Sequence, residues 1–259
     1  MTSDTYKKEQ GHVLFRLTGV GLAFYVIPLP AVAFIICVIL SVIFNLEQST
    51  ATHCRVRNYL PSISAAIGGF TPQRYIWRIC IALHVAPRFL VAVVYYNHFR
   101  AFHVKSYPSL YYFLAGLSSW LHVFENMALV TLSYVSSTEN YAIHEGSFIA
   151  FMIFSQVYMV LSMIVFWWSR AGSPWSQKDR RSMRYKLTWF SINMGSFLAA
   201  IYFFWRHNRY CEPGVYTLFA LAEYGTVLSN ITYHAAGAID FGEGHLLFVD
   251  APRSKDKQK

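Results

Sequence analysis

Arg78, His84 and Arg88 stand well inside a largely apolar stretch that runs from Pro72 to Phe99. His84 and Arg88 are four residues apart, so on a helix they share a face. An arginine at mid-membrane costs about 2.5–3.5 kcal/mol on insertion scales, so these groups must face protein or trapped water, and their partners must come from elsewhere in the chain. Two acidic residues inside other apolar stretches can receive them. Glu125 is flanked by Asn126 and lies one turn from His122; Glu223 is followed at spacings of seven and four by Asn230 and His234, which places all three within about 20° of one helical stripe. A buried glutamate or histidine can act as acid or base, and an arginine can hold a phosphate bidentately. Glu125, Glu223 and His84 are therefore the catalytic candidates. Arg78, Arg88, Asn126, His122, Asn230 and His234 are the substrate-binding candidates.

The elements that must position these groups are membrane helices. Of 259 residues, 55% are apolar, 18% aromatic and only 14% charged, against about 25% charged in an ordinary soluble domain. No alternating pattern of a membrane barrel is present, so the fold class expected is all-α: a polytopic six-transmembrane-helix bundle forming a single membrane domain over residues 1–259. The expected spans are 17–44, 75–99, 109–134, 146–168, 186–205 and 215–239. Pro28 and Pro30 are expected to kink the first, which is too long for a cleavable signal.

The net charge of +9 would suggest nucleic acid in a soluble protein, but its distribution points to a membrane instead. Six spans place both termini on one side. That side carries fifteen of the Lys and Arg residues and the other face five, with Arg78 and Arg88 inside the membrane. The positive-inside rule then puts the N and C termini in the cytosol. From the lumenal ends of their spans, His84 and Glu125 are nine residues deep, Glu223 eight and Arg88 thirteen. At about 1.5 Å per residue, the first three share one level and Arg88 lies a turn below.

The lumenal connection 45–74 is the longest, and its apolar middle, Pro61 to Phe70, suits either a short helix at the membrane face or a folded cap. Cys54 and Cys211 both fall in lumenal connections, an oxidising setting, and are expected to form a disulfide. Cys37 and Cys80 fall within spans. His53, His207 and the pair His144 and Glu145 read as solvated loop residues. The basic fourth connection, with Trp175, is expected against anionic headgroups. Lys255 and Lys257, fifth and third from the end, fit a KxKxx signal for coat-protein retrieval from the Golgi, with an ordinary basic tail as the other reading.

Nucleotide-binding, kinase and serine-hydrolase motifs are absent, and His144-Glu145 lacks the second histidine of HExxH, so no metal is expected. Two readings of the charged layer stay open. It neutralises itself and fixes helix register, or it lines a polar chamber that opens to the lumenal leaflet beneath the first loop.

Several segments taken in order carry a family likeness: TATHCRVRNYLPSISAAIGG with PQRYIWR, LHVAPRFLVAVVYYNH, ENMALVTLSYVSSTENYAIHE, RHNRYCEPGVYTLFALAEY and NITYHAAGAIDFG. The chain resembles the six-span family that contains the post-GPI attachment to proteins factors, the DRAM proteins and the N-terminal part of the yeast GPI-remodelling protein Cwh. The resemblance implies a multi-pass protein of Golgi and endoplasmic reticulum membranes that serves GPI-anchor lipid remodelling, the return of a saturated, stearoyl chain to the sn-2 position of lyso-GPI. It carries no catalytic motif residue by residue. The expected partners are membrane lipids and GPI-anchored proteins as substrates, without nucleic acid. No bound cofactor is expected; acyl-CoA or a phospholipid would be the acyl donor and co-substrate. The chain is expected either to be the acyltransferase itself or, as the alternative, to be a lipid-binding escort or regulator that presents lyso-GPI to a separate enzyme.

Overall fold

The computed structural model describes residues 13–18, 21, 25, 27–241 and 245–249. The basic tail with its KxKxx signal and the polar N-terminal segment lie outside the described residues. Strand β1 (Val13–Thr18) is followed by α1 (Pro28–Phe44), the short α2 (Leu46–Thr50) and α3 (Ile63–Gly68), then α4 (Gln73–Arg100), α5 (Pro108–Tyr134), α6 (Tyr141–Ser169), α7 (Gln177–Tyr210), α8 (Val215–His234), α9 (Ala236–Phe241) and strand β2 (His245–Val249). The protein is an all-α polytopic membrane protein apart from an antiparallel ribbon of β1 and β2, which brings the two ends of the described chain together. Helices α4, α5, α6 and α7 are each long and apolar enough to cross a membrane, and α1 is a shorter apolar helix of 17 residues.

Two expectations need correction. The first apolar run is not one helix from Leu17: residues 13–18 pair with β2, and the helix starts at Pro28. Pro28 and Pro30 stand in the first turn of this helix, where the N–H that proline lacks has no intrahelical acceptor. The fourth connection is also shorter than expected. Ser176 forms a capping box with Asp179, and helix runs from Gln177 through the basic residues, while Arg170 pairs with Asp179 at 3.0 Å.

The helices pack mainly as sequence neighbours, α4 on α5, α5 on α6 and α7 on α8, with α1 against α4. Two apolar clusters fill the interior. One joins Phe34, Ile63, Ile67, Trp77, Ile81, Val85, Leu129 and Met152; the other joins Phe99, Tyr111, Leu121, Tyr158, Met159, Phe166 and Tyr233. On α4, α5 and α6 the boundary between them falls after Val85, Leu121 and Met152, at the positions that hold the charged layer. The outward faces are apolar, as a lipid-facing surface requires: Ile149, Ile153, Val157, Val160 and Ile164 run down α6 at spacings of three and four and are all exposed.

The first loop is a folded cap built around α3. Ser62 caps α3 by accepting from the Ala65 N–H, Ser41 Oγ donates to Ala66 O at 3.0 Å, and the Gln73 amide donates to Ser41 Oγ and Asn45 Oδ1. Gly68 lies where a Cβ would meet the Ser136 Cβ at 3.2 Å, so a larger residue would push α3 a few tenths of an ångström from the 135–140 turn. Cys54 and Cys211 form a disulfide that ties this loop to the α7–α8 turn. The Gly214 N–H to Arg57 O bond and the Tyr59 N–H to Thr217 Oγ1 bond, both 2.9 Å, reinforce the junction. His207, expected in solvent, is fully buried there, 3.0 Å from Thr52 Oγ1.

Because the disulfide closes a loop of 157 residues, Cys54→Ala should lower the unfolding free energy by roughly 2–5 kcal/mol. A melt of detergent-solubilised protein measures this. An unchanged Tm would mean that the hydrogen bonds alone hold the cap.

Candidate functional site

The organising interaction is a buried ion pair between α4 and α5. Arg88 Nη2 lies 3.2 Å from Glu125 Oε1, with the two side chains 5% and 0% exposed. The same carboxylate oxygen accepts from the Asn230 amide at 3.0 Å, and that amide also donates to Ser155 Oγ at 2.7 Å, so α8 and α6 join the layer. His234 Nε2 is 2.7 Å from Arg88 Nη2 and 3.0 Å from Glu125 Oε1. A guanidinium only donates, so this contact makes Nε2 an acceptor and the imidazole neutral, and the guanidinium bridges the ring and the carboxylate. The rings of His234, His122 and Tyr158 form a mutual cluster, with centroids 4.9 Å apart for His234 and His122, 5.3 Å for His234 and Tyr158 and 4.7 Å for His122 and Tyr158. Pro87, just before Arg88, leaves the Leu83 carbonyl without its intrahelical donor while α4 continues through it.

Glu223 lies apart from this pair. Its Oε2 accepts from the Ile63 N–H at 2.9 Å, at the start of α3, and it forms no ion pair among the described residues. Beside Glu223 is a cavity of about 50 Å³, larger than the space one water needs. His84, Arg88, Glu223 and Asn230 line it, and Ile63, Ser64 and Ile67 of the cap reach it from above.

Of the candidate residues, the structure thus brings His84, Arg88, Glu223 and Asn230 to one cavity. Glu125 and His234 stand behind it as supports, not on its lining. His122 and Asn126 are buried, and neither His122 ring nitrogen nor either Asn126 amide atom has a hydrogen-bond partner. Arg78 is not in the layer at all. It donates to Tyr134 O and Glu139 Oε2, each at 2.8 Å, at the rim formed by the α5–α6 turn. The expected balance of two arginines against Glu125 and Glu223 is therefore wrong: Arg78 pairs with Glu139, because near the end of α4 the side chain reaches the turn more readily than the interior. The ligand atoms of His122, Glu125 and His234 lie within 4.8 Å of one another. The Arg88 guanidinium nevertheless already supplies the positive charge that Glu125 and His234 face.

Sequence reasoning missed two constellations. Lys186, counted among the surface charges, is 3% exposed and pairs with Asp240 at 2.6 Å, and Asp240 also accepts from Ser182 and Tyr95. That both residues fall at the same end of the last two spans was the available signal. His144, expected in solvent, is buried, with Nδ1 2.8 Å from Val135 O and Nε2 2.8 Å from Ser64 Oγ. Nothing in the sequence places residue 64 beside residue 144.

A cavity in the membrane between helices of a bundle, held by a buried ion pair and covered by a disulfide-tied cap, defines a multi-pass membrane protein with an intramembrane polar site. The family model described as the Frag1/DRAM/Sfk1/Cwh43P N-terminal domain matches residues 20–244. The chain belongs to this family. It is similar to acyltransferase PGAP2 of Xenopus tropicalis, 46% identical over 236 residues that cover 90% of this chain and 92% of the relative. It is also similar to post-GPI attachment to proteins factor 2 of Caenorhabditis briggsae, 44% identical with 82% and 81% covered. The factor of the same name from Drosophila melanogaster is 41% identical, with 92% of each covered. No solved structure matches the chain.

Breaking a buried pair leaves an uncompensated charge, so Glu125→Gln should destabilise the bundle by roughly 3–5 kcal/mol. The double variant Glu125→Leu with Arg88→Met should recover much of that loss. Fluorescence-detected size exclusion across a temperature series separates these outcomes, and single and double variants of equal stability would exclude the pair as a structural keystone. At the rim, the Ser136 N–H and hydroxyl, then Arg78, hold the Glu139 carboxyl below its ordinary range. A depressed folded pKa stabilises above the unfolded pKa, and the contribution is lost as pH falls through the folded value. Glu139→Gln should therefore flatten the acid limb of a Tm-versus-pH curve, and an unaltered limb would remove this clip from the account.

Proposed function

We infer that the protein reacylates lyso-GPI at sn-2 with a saturated chain during GPI-anchor remodelling, in Golgi and endoplasmic reticulum membranes. The observation that carries this reading is the cavity in which Arg88, His84 and Glu223 meet beneath the first loop. It brings a fixed cation for a phosphate and a carboxylate for a hydroxyl into a site shielded from bulk water. The name of the Xenopus tropicalis relative, an acyltransferase, and those of the other relatives, factors acting after GPI attachment, agree with it. With the termini cytosolic, the cavity opens toward the lumenal leaflet.

Of the three groups considered as base, Glu125 does not line the cavity, and its Oε1 holds Arg88 and Asn230. Glu223 uses one oxygen on the cap and, with His84, faces the acceptor hydroxyl. Arg88, oriented by Glu125 and His234, faces the inositol phosphate. Membrane lipids enter laterally, and the acyl donor is a phospholipid or acyl-CoA. GPI-anchored proteins are the substrates, with the protein part outside the membrane.

Purified protein in vesicles, given a lyso-GPI or lysophosphatidylinositol acceptor and an acyl donor, should form the diacyl product. Glu223→Gln should lower turnover by about a hundredfold or more while leaving the folded fraction unchanged. Acceptor binding without turnover by wild-type protein would replace the enzyme with an escort that hands lyso-GPI to another acyltransferase.

A further inference from the structure

Ser64 stands on α3, the helix that covers the cavity, and is among the residues lining it. Its Oγ lies 2.8 Å from His144 Nε2. The other ring nitrogen, Nδ1, lies 2.8 Å from the Val135 carbonyl oxygen. A carbonyl can only accept, so Nδ1 carries the ring proton of the neutral imidazole and Nε2 presents a lone pair to the serine hydroxyl. This is the arrangement that activates a serine: nucleophile, base within hydrogen-bond reach, and a third group that fixes the tautomer, here a backbone carbonyl. His144 is 7% exposed and is held at the first turn of α6, capped by Asn140.

A second observation points to a ligand in the same space. Trp77 and Ser133 both line the cavity and are 4% and 6% exposed, yet Trp77 Nε1 and Ser133 Oγ have no hydrogen-bond partner. Buried donors left unpaired are costly, and in a native site they are explained by a group that arrives. An unpaired indole N–H and serine O–H on residues that line one cavity suit an oxygen acceptor, such as the carbonyl oxygen of an ester as it becomes an oxyanion.

We propose that Ser64 is the nucleophile of a two-step acyl transfer, with His144 as its base, so that the chain passes through an acyl-Ser64 intermediate. This rests on the acyltransfer reading above and deepens it. In the first half, Ser64 Oγ attacks the carbonyl carbon of an acyl ester or thioester, and its proton moves to His144 Nε2. The bond from that carbon to the donor's oxygen or sulfur breaks, and the leaving group takes the proton from His144. In the second half, the lyso-lipid hydroxyl, oriented by Glu223, attacks the acyl carbon and gives its proton to His144. The Ser64 ester bond breaks, and Oγ recovers the proton. No oxidant or further reactant enters. The two halves explain how a cavity of about 50 Å³ serves two lipids: each presents only its reacting carbonyl or hydroxyl in turn.

Purified full-length protein in vesicles is incubated without acceptor, in one arm with a saturated acyl-CoA and in another with a diacyl phospholipid. Peptide mass spectrometry should show Ser64 carrying the acyl mass in the arm that holds the true donor, and added lysophosphatidylinositol should discharge it. Ser64→Ala should abolish the adduct and lower transfer at least a hundredfold, and His144→Ala should slow adduct formation to a similar extent. Because Ser64 also fastens the cap, Ser64→Cys serves as the isosteric control: it should fold and carry a thioester that hydroxylamine removes. Wild-type transfer with no adduct on residue 64, or transfer by Ser64→Ala at the wild-type rate, would overturn the intermediate and leave direct acyl transfer standing. Absence of both transfer and adduct in wild-type protein would overturn the acyltransferase reading along with it.

Discussion

A single carboxylate oxygen, Glu125 Oε1, is the point on which four helices converge. Arg88 from α4 and Asn230 from α8 reach it directly, His234 of α8 joins through the Arg88 guanidinium, and Ser155 from α6 joins through the Asn230 amide. Buried among apolar side chains, each of these groups is held by the others, and removing one strands its partner in a medium where an unpaired charge is costly. It also lies between two apolar clusters that would tolerate sliding of one helix along another by a turn. The charged layer permits one register only, and the cavity exists because that register holds.

The cap is fixed by a different kind of constraint. Its backbone cannot be satisfied by a regular ladder, so side chains do the work: Ser41, Gln73, Asn58 and Arg74 bond to loop carbonyls or to one another. The disulfide and the Arg57 to Gly214 bond then join this loop to a turn more than a hundred and fifty residues away. Glu223 closes the arrangement from below by accepting the Ile63 N–H, and the Tyr224 hydroxyl donates to the Pro61 carbonyl. A loop this firmly held presents Ser64 and the start of α3 to the cavity at fixed geometry, which a substrate-positioning element requires.

The far end of the bundle repeats the logic without a cavity of the same kind. Lys186 and Asp240 form a second buried pair, with Tyr95 and Ser182 on the carboxylate and the Phe166 ring 3.8 Å from the ammonium. Midway, Asn193 links α7 to Gln156 of α6 and to Thr226 and Ser229 of α8. These two polar levels hold α7 to α6, α8 and α9.

Composition and the spacing of apolar runs determined the helical membrane class, the level of the charged layer and the placement of Cys54 and Cys211 at one end of the bundle, because hydrocarbon thickness and the energy of a buried charge act on any sequence alike. The stripe of Glu223, Asn230 and His234 was legible for the same reason: helical period is a local property. Which carboxylate Arg88 would choose was not legible, since Glu125 and Glu223 lie at similar depth, and only helix rotation and packing separate them. Arg78 turned to Glu139 because side-chain reach at a helix end depends on where the neighbouring turn sits. The contacts of Ser64 with His144 and of Lys186 with Asp240 join residues 80 and 54 apart. No periodicity relates such positions, and only the folded chain, which brings distant buried polar groups within hydrogen-bond reach, decides them.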